Sequence, residues 1–106
     1  MYSTKDYLQN GVLYLNNILR PRHKKLSTLM LYSTTKCQSR CKHCSIWQKP
    51  VEHLSLSDIK KIMASKCVTR NTTVGLEGGE FILHPEAEAI MEWFMNHHPN
   101  YTLLSN

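Results

Sequence analysis

Three of the four cysteines in this chain fall within eight residues, Cys37-Gln38-Ser39-Arg40-Cys41-Lys42-His43-Cys44, with the spacing C-x3-C-x2-C. Thiolates that close together can converge on one inorganic centre, and thiolate is the ligand that zinc and iron–sulfur clusters select. A disulfide framework fits badly, because three is an odd number and the fourth cysteine, Cys67, lies far off at the end of a segment with helical periodicity. Three ligands also leave a position open. A structural zinc site closes with four protein ligands, a catalytic metal keeps a place for substrate, and a four-iron cluster on three cysteines leaves one iron without a protein ligand.

The rest of the chain has to hold that loop. Its 106 residues can form one small domain with a modest core. No uncharged apolar run reaches membrane-spanning length, and Lys5 and Asp6 interrupt any signal-peptide core. The expectation is a cytoplasmic protein with reduced thiols and no membrane partner. Charge is unevenly placed: residues 1–49 hold nine Lys/Arg against Asp6 alone, and residues 50–106 hold four against seven acids. Such a bias invites nucleic acid. Arg20, Arg22, Lys24 and Lys25 have no interleaved aromatic rings on which bases could stack, so they read as a solvated connector and nucleic acid is not expected as a partner.

Periodicity predicts the order of elements. Ser3 to Arg20 reads as an amphipathic helix, with Ser3 and Asp6 at capping-box spacing, Leu8, Val12, Leu15 and Leu19 on one stripe that should pack on something, and Pro21 as the stop. Leu26 to Ser33 reads as a buried strand. From Thr34 to about Leu54, roughly 20 residues show no period, far more than the two to six usual for a βα loop. The cysteine motif supplies a reason for that length. Ser55 to Cys67 predicts a second helix with another capping box at Ser55 and Asp58, Thr72 to Glu77 a short strand, and Gly78-Gly79-Glu80 a break. Pro85 opens a third helix carrying Ala87, Ile90, Met91, Phe94 and Met95 on one stripe; Pro99 stops it, and Tyr101 to Ser105 reads as a last strand.

Alternating strands and helices joined by right-handed crossovers make a parallel sheet with helices on one side. Ligands bind where the strands' C-terminal ends meet the following loops. The cysteine loop follows the first strand and Gly78-Gly79-Glu80 the second, so the two should meet in space. Adjacent glycines let a ligand reach the backbone, and a carboxylate beside them suits an ammonium group.

In this order and spacing, the cysteine motif and Gly78-Gly79-Glu80 resemble the radical S-adenosylmethionine enzymes over residues 26–106. The resemblance implies an α/β fold, the N-terminal half of a (β/α)6 partial barrel with about three parallel strands and their helices. An amphipathic helix and basic linker at residues 1–25 precede the incomplete domain at 26–106. By that resemblance, Cys37, Cys41 and Cys44 would ligate a [4Fe-4S] cluster, and Gly78, Gly79 and Glu80 would hold the methionyl ammonium of S-adenosyl-L-methionine. His43, in a place usually aromatic, would put its backbone against the adenine. The family's reaction is one-electron cleavage of the sulfonium, giving methionine and a 5′-deoxyadenosyl radical that takes hydrogen from a substrate. Implied partners are an unidentified substrate, a reductant such as a flavodoxin or ferredoxin, and the remaining barrel strands in the same or another chain. Phe81 departs from the proline that often follows the glycines.

A reading from another class uses the same residues: a small zinc module on Cys37, Cys41, Cys44 and either His43 or Cys67, with the basic half on nucleic acid. It explains the charge and leaves Gly78-Gly79-Glu80 without a role. Other candidates have plainer expectations. Cys67 reads as a small buried hydrophobe, His97 and His98 as favourable partners of a helix C-terminus, and His23, His53 and His84 as surface or loop residues, with His84 near enough to cap the third helix. Trp47 reads as a cover for the cysteine loop, and Lys36, Arg40 and Lys42 as solvated charge or as stabilisers of an anionic centre.

Overall fold

The computed structural model describes residues 3–105. The elements follow in the order α1 (Thr4–Leu19), β1 (Thr28–Thr34), α2 (Leu56–Met63), β2 (Thr73–Gly78), α3 (Ala87–His97) and β3 (Tyr101–Leu103), with 3-10 turns at Ile46–Gln48 and Phe81–Leu83. The three strands pair in parallel in the order β1-β2-β3. Among the described residues the sheet does not close: β3 pairs with β2 alone, and β1, besides pairing with β2, makes a single antiparallel bridge from Thr34 to His53.

Register explains which face is buried. Leu29, Val74 and Tyr101 stand side by side across the strands, as do Leu31, Leu76 and Leu103. Side chains alternate across a strand, so these two rows share one face. Ile59 of α2 and Ile90 and Phe94 of α3 pack on that face, joined by Phe81 from the 3-10 turn after β2, and all four are fully buried. Both crossover helices thus cover one side of the sheet. Phe81 is one of the core anchors. The opposite face carries Met30 and Tyr32, which stay largely exposed, and the Met30 thioether lies over Gly75.

The second helix is shorter than predicted. Ser55 caps it, its hydroxyl accepting from the Asp58 N–H at 3.2 Å and donating to the Asp58 carboxylate at 2.8 Å. The helix ends at Met63, where Ser65-Lys66-Cys67 turns away: the Ser65 N–H bonds the Ile62 carbonyl and the Val68 N–H bonds the Ser65 carbonyl. Cys67 is therefore exposed, contrary to the expectation of a buried thiol. Its carbonyl accepts from the Leu26 N–H at 2.8 Å, which pins the turn beside the start of β1. The third helix starts at Ala87, and Glu86 precedes it with its carboxylate on the Leu56 N–H at 3.2 Å, tying the N-termini of α2 and α3 together.

Two histidines are buried: His84, expected at the surface or in a loop, and His98, expected only as a partner of the helix C-terminus. His98, 8% exposed, donates from Nε2 to the Thr72 carbonyl at 2.7 Å, closing the link between α3 and β2. His84, 4% exposed, donates from Nε2 to the Leu54 carbonyl at 2.9 Å while its Nδ1 accepts the Glu86 N–H at 2.9 Å. Those two bonds require the neutral ring with its proton on Nε2. His97 behaves as its position suggests, stacked on Trp93 at 5.0 Å and bonded to the Trp93 carbonyl.

Helix α1 has the predicted capping box: the Ser3 hydroxyl accepts the Asp6 N–H, and the Asp6 carboxylate accepts the Ser3 N–H at 2.6 Å. Its attachment is polar. Asp6, Gln9, Asn10 and Leu13 face Asn71, Thr73, Asn100 and Thr102 across a groove of about 350 Å³. Asn17 clamps the linker, its amide donating to the Lys25 carbonyl and accepting the Lys25 N–H, both at 2.8 Å. No residue of α1 is buried, so the stripe of Leu8, Val12, Leu15 and Leu19 does not pack on the domain. Asn17→Ala should remove both bonds of the clamp, lowering stability by about 1–2 kcal/mol, and should speed exchange of the Lys25 amide in hydrogen-exchange NMR. Unchanged Lys25 protection would contradict the role given to Asn17.

Candidate metal and cofactor site

The long segment after β1 is closed at its base. The Leu54 N–H bonds the Ser33 carbonyl at 2.8 Å and the Thr35 N–H bonds the Glu52 carbonyl at 3.0 Å, so the two ends run side by side. The Thr35 hydroxyl donates to the Pro50 carbonyl at 2.7 Å and accepts the Glu52 N–H at 2.8 Å. Thr34, 2% exposed, adds a bond between its hydroxyl and His53 Nδ1 at 2.9 Å. Beyond this neck, His84 holds Leu54 to the start of α3. The cysteines sit on a loop whose two ends are tied together by this stem. Sequence reasoning missed the stem; its signal was the pair of β-branched, hydroxyl-bearing residues Thr34 and Thr35 at one end and the extended Pro50-Val51 at the other.

On that loop Cys37 is half-buried and Cys41 and Cys44 are exposed, all three as free thiols. The Cys44 N–H bonds the Cys41 carbonyl at 3.2 Å, a turn that sets these two residues close in the chain path. Among the described residues, no three His, Cys, Asp or Glu side chains converge closely enough to hold a metal ion. His43 is exposed and, with Cys41 and Cys44, lines an open cavity of about 400 Å³. Trp47 forms part of the same wall, and the Arg40 guanidinium lies over its ring at 5.5 Å. Trp47, expected as a cover for the loop, is exposed and stands at its side, and one of the three basic residues near the thiols is engaged by its aromatic face.

Gly78-Gly79-Glu80 meets this loop directly. The Gly79 N–H bonds the Thr34 carbonyl and the Glu80 N–H the Lys36 carbonyl, both at 2.8 Å, extending the ladder between β1 and β2 into the cysteine loop. Gly78 has φ +151°, a region that side chains disfavour, and a Cβ there would press on the Thr34 carbonyl. A Cβ on Gly79 would collide with the Lys36 carbonyl and stand 2.9 Å from the Cys37 Cβ. The close approach that the two glycines permit is to the backbone of residues 34–37. Glu80 is 3% exposed, and the Ser105 hydroxyl donates to its Oε1 at 2.7 Å. Ser105, just past β3, was not singled out from the sequence; its only signal was its place at the end of the third strand.

The ends of all three strands therefore contribute to one edge: the cysteine loop after β1, the glycines and Glu80 after β2, and Ser105 after β3. Cys67 lies elsewhere, beside Leu26 at the N-terminal end of β1, about 20 Å of strand away. Three thiols free of disulfides lie on a loop anchored at its base, a donor type that zinc and iron–sulfur centres select, and the three do not converge on one point. No family model matches the chain, and no curated protein or solved structure resembles it at a significant level.

Thr35→Val keeps the β-branched shape and removes both hydroxyl bonds of the stem. It should lower stability by about 1–3 kcal/mol and make the loop between residues 36 and 49 more susceptible to limited proteolysis. Cleavage at the wild-type rate would mean that the stem does not order the loop.

Proposed function

We propose that this chain carries the cluster- and cofactor-binding part of a radical S-adenosylmethionine enzyme. The observation that carries the reading is the contact of Gly79 with Lys36 and Cys37: two motifs far apart in sequence adjoin at the C-terminal edge of a parallel sheet, where α/β proteins bind ligands. On this reading Cys37, Cys41 and Cys44 are the thiolate ligands of a [4Fe-4S] cluster. When bound, the cluster supplies one electron to the sulfonium of S-adenosyl-L-methionine. Glu80 holds the ammonium of the cofactor by a charge-assisted bond, with Ser105 orienting its carboxylate. The backbone at His43 adjoins the adenine.

The open sheet agrees with half of a (β/α)6 barrel, and the remaining strands, from the same or another chain, would pair along the free edge of β3. Lys36, Lys42 and Lys49, all exposed on or beside the cysteine loop, suit an acidic electron donor such as a flavodoxin or ferredoxin. The substrate would lie over the open face that bears Met30 and Tyr32. A closed zinc site completed by Cys67 is disfavoured by the distance along β1, and neither zinc arrangement uses Glu80.

Iron and sulfide analysis of anaerobically reconstituted protein tests the ligand set. Cys37→Ala, Cys41→Ala and Cys44→Ala should each lose the cluster and Cys67→Ala should keep it; loss in Cys67→Ala, or stoichiometric zinc in place of iron, would overturn the assignment. Glu80→Gln should keep the cluster and bind S-adenosylmethionine roughly ten- to hundredfold more weakly, the loss of a charged hydrogen bond of about 1.5–3 kcal/mol. Calorimetric titration reads this directly, and equal affinity in the variant would remove Glu80 from the site.

A further inference from the structure

Helix α1 turns its polar side to its own domain and its apolar side outward. At 100° per residue, Asp6, Gln9, Asn10, Leu13 and Asn17 share one sector, and these residues face the strands' N-terminal ends and the linker. The opposite sector holds Leu8, Val12, Leu15, Ile18 and Leu19, which are 55–77% exposed. Tyr7 and Tyr14 stand along one border of it. No charged residue falls inside this sector. An apolar face of that width, held outward by a capped helix and the Asn17 clamp, has the form of a docking surface.

Charge indicates what it docks on. Between residues 7 and 51 there is no acidic side chain, and Arg20, Arg22 and Lys24 are exposed directly after the last apolar residue of the helix, where Pro21 ends it. An uncharged apolar stripe that runs straight into exposed cations, with tyrosines on its border, matches the layers of an anionic bilayer surface: acyl chains, headgroup boundary and phosphates. A second copy of the chain fits less well. Parallel pairing of two α1 helices sets the basic clusters against each other. Antiparallel pairing offers them no carboxylate, because Asp6 is on the polar side, bonded to Ser3. No helix among the described residues is long and apolar enough to cross a membrane, so the contact would be peripheral.

We infer that α1 and the segment Arg20–Lys24 form a docking element for anionic lipid surfaces, with Leu8, Val12, Leu15 and Leu19 in the headgroup–acyl boundary and Arg20, Arg22 and Lys24 on the phosphates. The inference is independent of the chemistry assigned to the cysteine loop. Co-sedimentation of the full chain with vesicles of phosphatidylcholine alone, and of phosphatidylcholine with about 30% phosphatidylglycerol, tests it. Binding is expected to the anionic vesicles and to weaken as salt rises. The triple variant R20Q/R22Q/K24Q should bind on the order of a hundredfold more weakly, about fivefold per charge. The double variant L8Q/L15Q should lose more than about tenfold, from apolar contact alone. All five side chains are exposed, and circular dichroism should show the fold unchanged. Equal binding to neutral vesicles, or no binding to either, would overturn the inference. A concentration-dependent dimer that L8Q/L15Q abolishes, without vesicle binding, would assign the face to a second copy instead.

Discussion

The arrangement at the sheet edge depends on one close approach, that of Gly78 and Gly79 to the backbone of residues 34–37. Any side chain at either position would strike a carbonyl oxygen. Because nothing intervenes, the Gly79 and Glu80 amides can reach the Thr34 and Lys36 carbonyls, and the β1–β2 ladder runs on past the ends of both strands. Cys37 is thereby set beside the glycine turn, and Glu80 is carried to where Ser105 meets it. The juxtaposition comes from backbone hydrogen bonds.

Polar bonds keep the edge in place from behind. The stem formed by Ser33, Thr35, Glu52 and Leu54 closes the cysteine loop, and His84 couples its last residue to the start of α3. The Leu54 carbonyl can only accept, so His84 must donate from Nε2, which leaves Nδ1 to take the Glu86 N–H. Phe81, next to Glu80, is fully buried against the helices, so the turn that bears the carboxylate is fastened to the core. The more solvated part is the outer loop with Cys41, His43 and Cys44.

Much of this was legible in the residues because it rests on period and on local capping. The stripes of Ile59, Ile90 and Phe94, the β-rich runs around Leu31 and Val74, and the Ser3 box all appear where expected. The parallel sheet and the meeting of the two motifs followed from strand order alone. What stayed hidden depends on tertiary partners. A single histidine carries no sign of whether a carbonyl awaits it, so the burial of His84 and His98 was not foreseen. Cys67 was placed one turn too far along a helix whose apolar period ends at Met63. The stripe of α1 was found, but a stripe does not say which way it faces, and here Asn17 and its neighbours turn it outward.

The central claim is that the cysteine loop and the Gly78-Gly79-Glu80 turn make one cofactor site with an open metal position. Electron paramagnetic resonance of the anaerobically reconstituted, reduced chain, recorded before and after S-adenosylmethionine is added, tests it most directly. The account predicts the signal of a reduced [4Fe-4S] cluster whose g-values shift when the cofactor occupies the position that no cysteine holds. A spectrum unchanged by the cofactor, or a chain that retains zinc and gives no iron–sulfur signal, would contradict it.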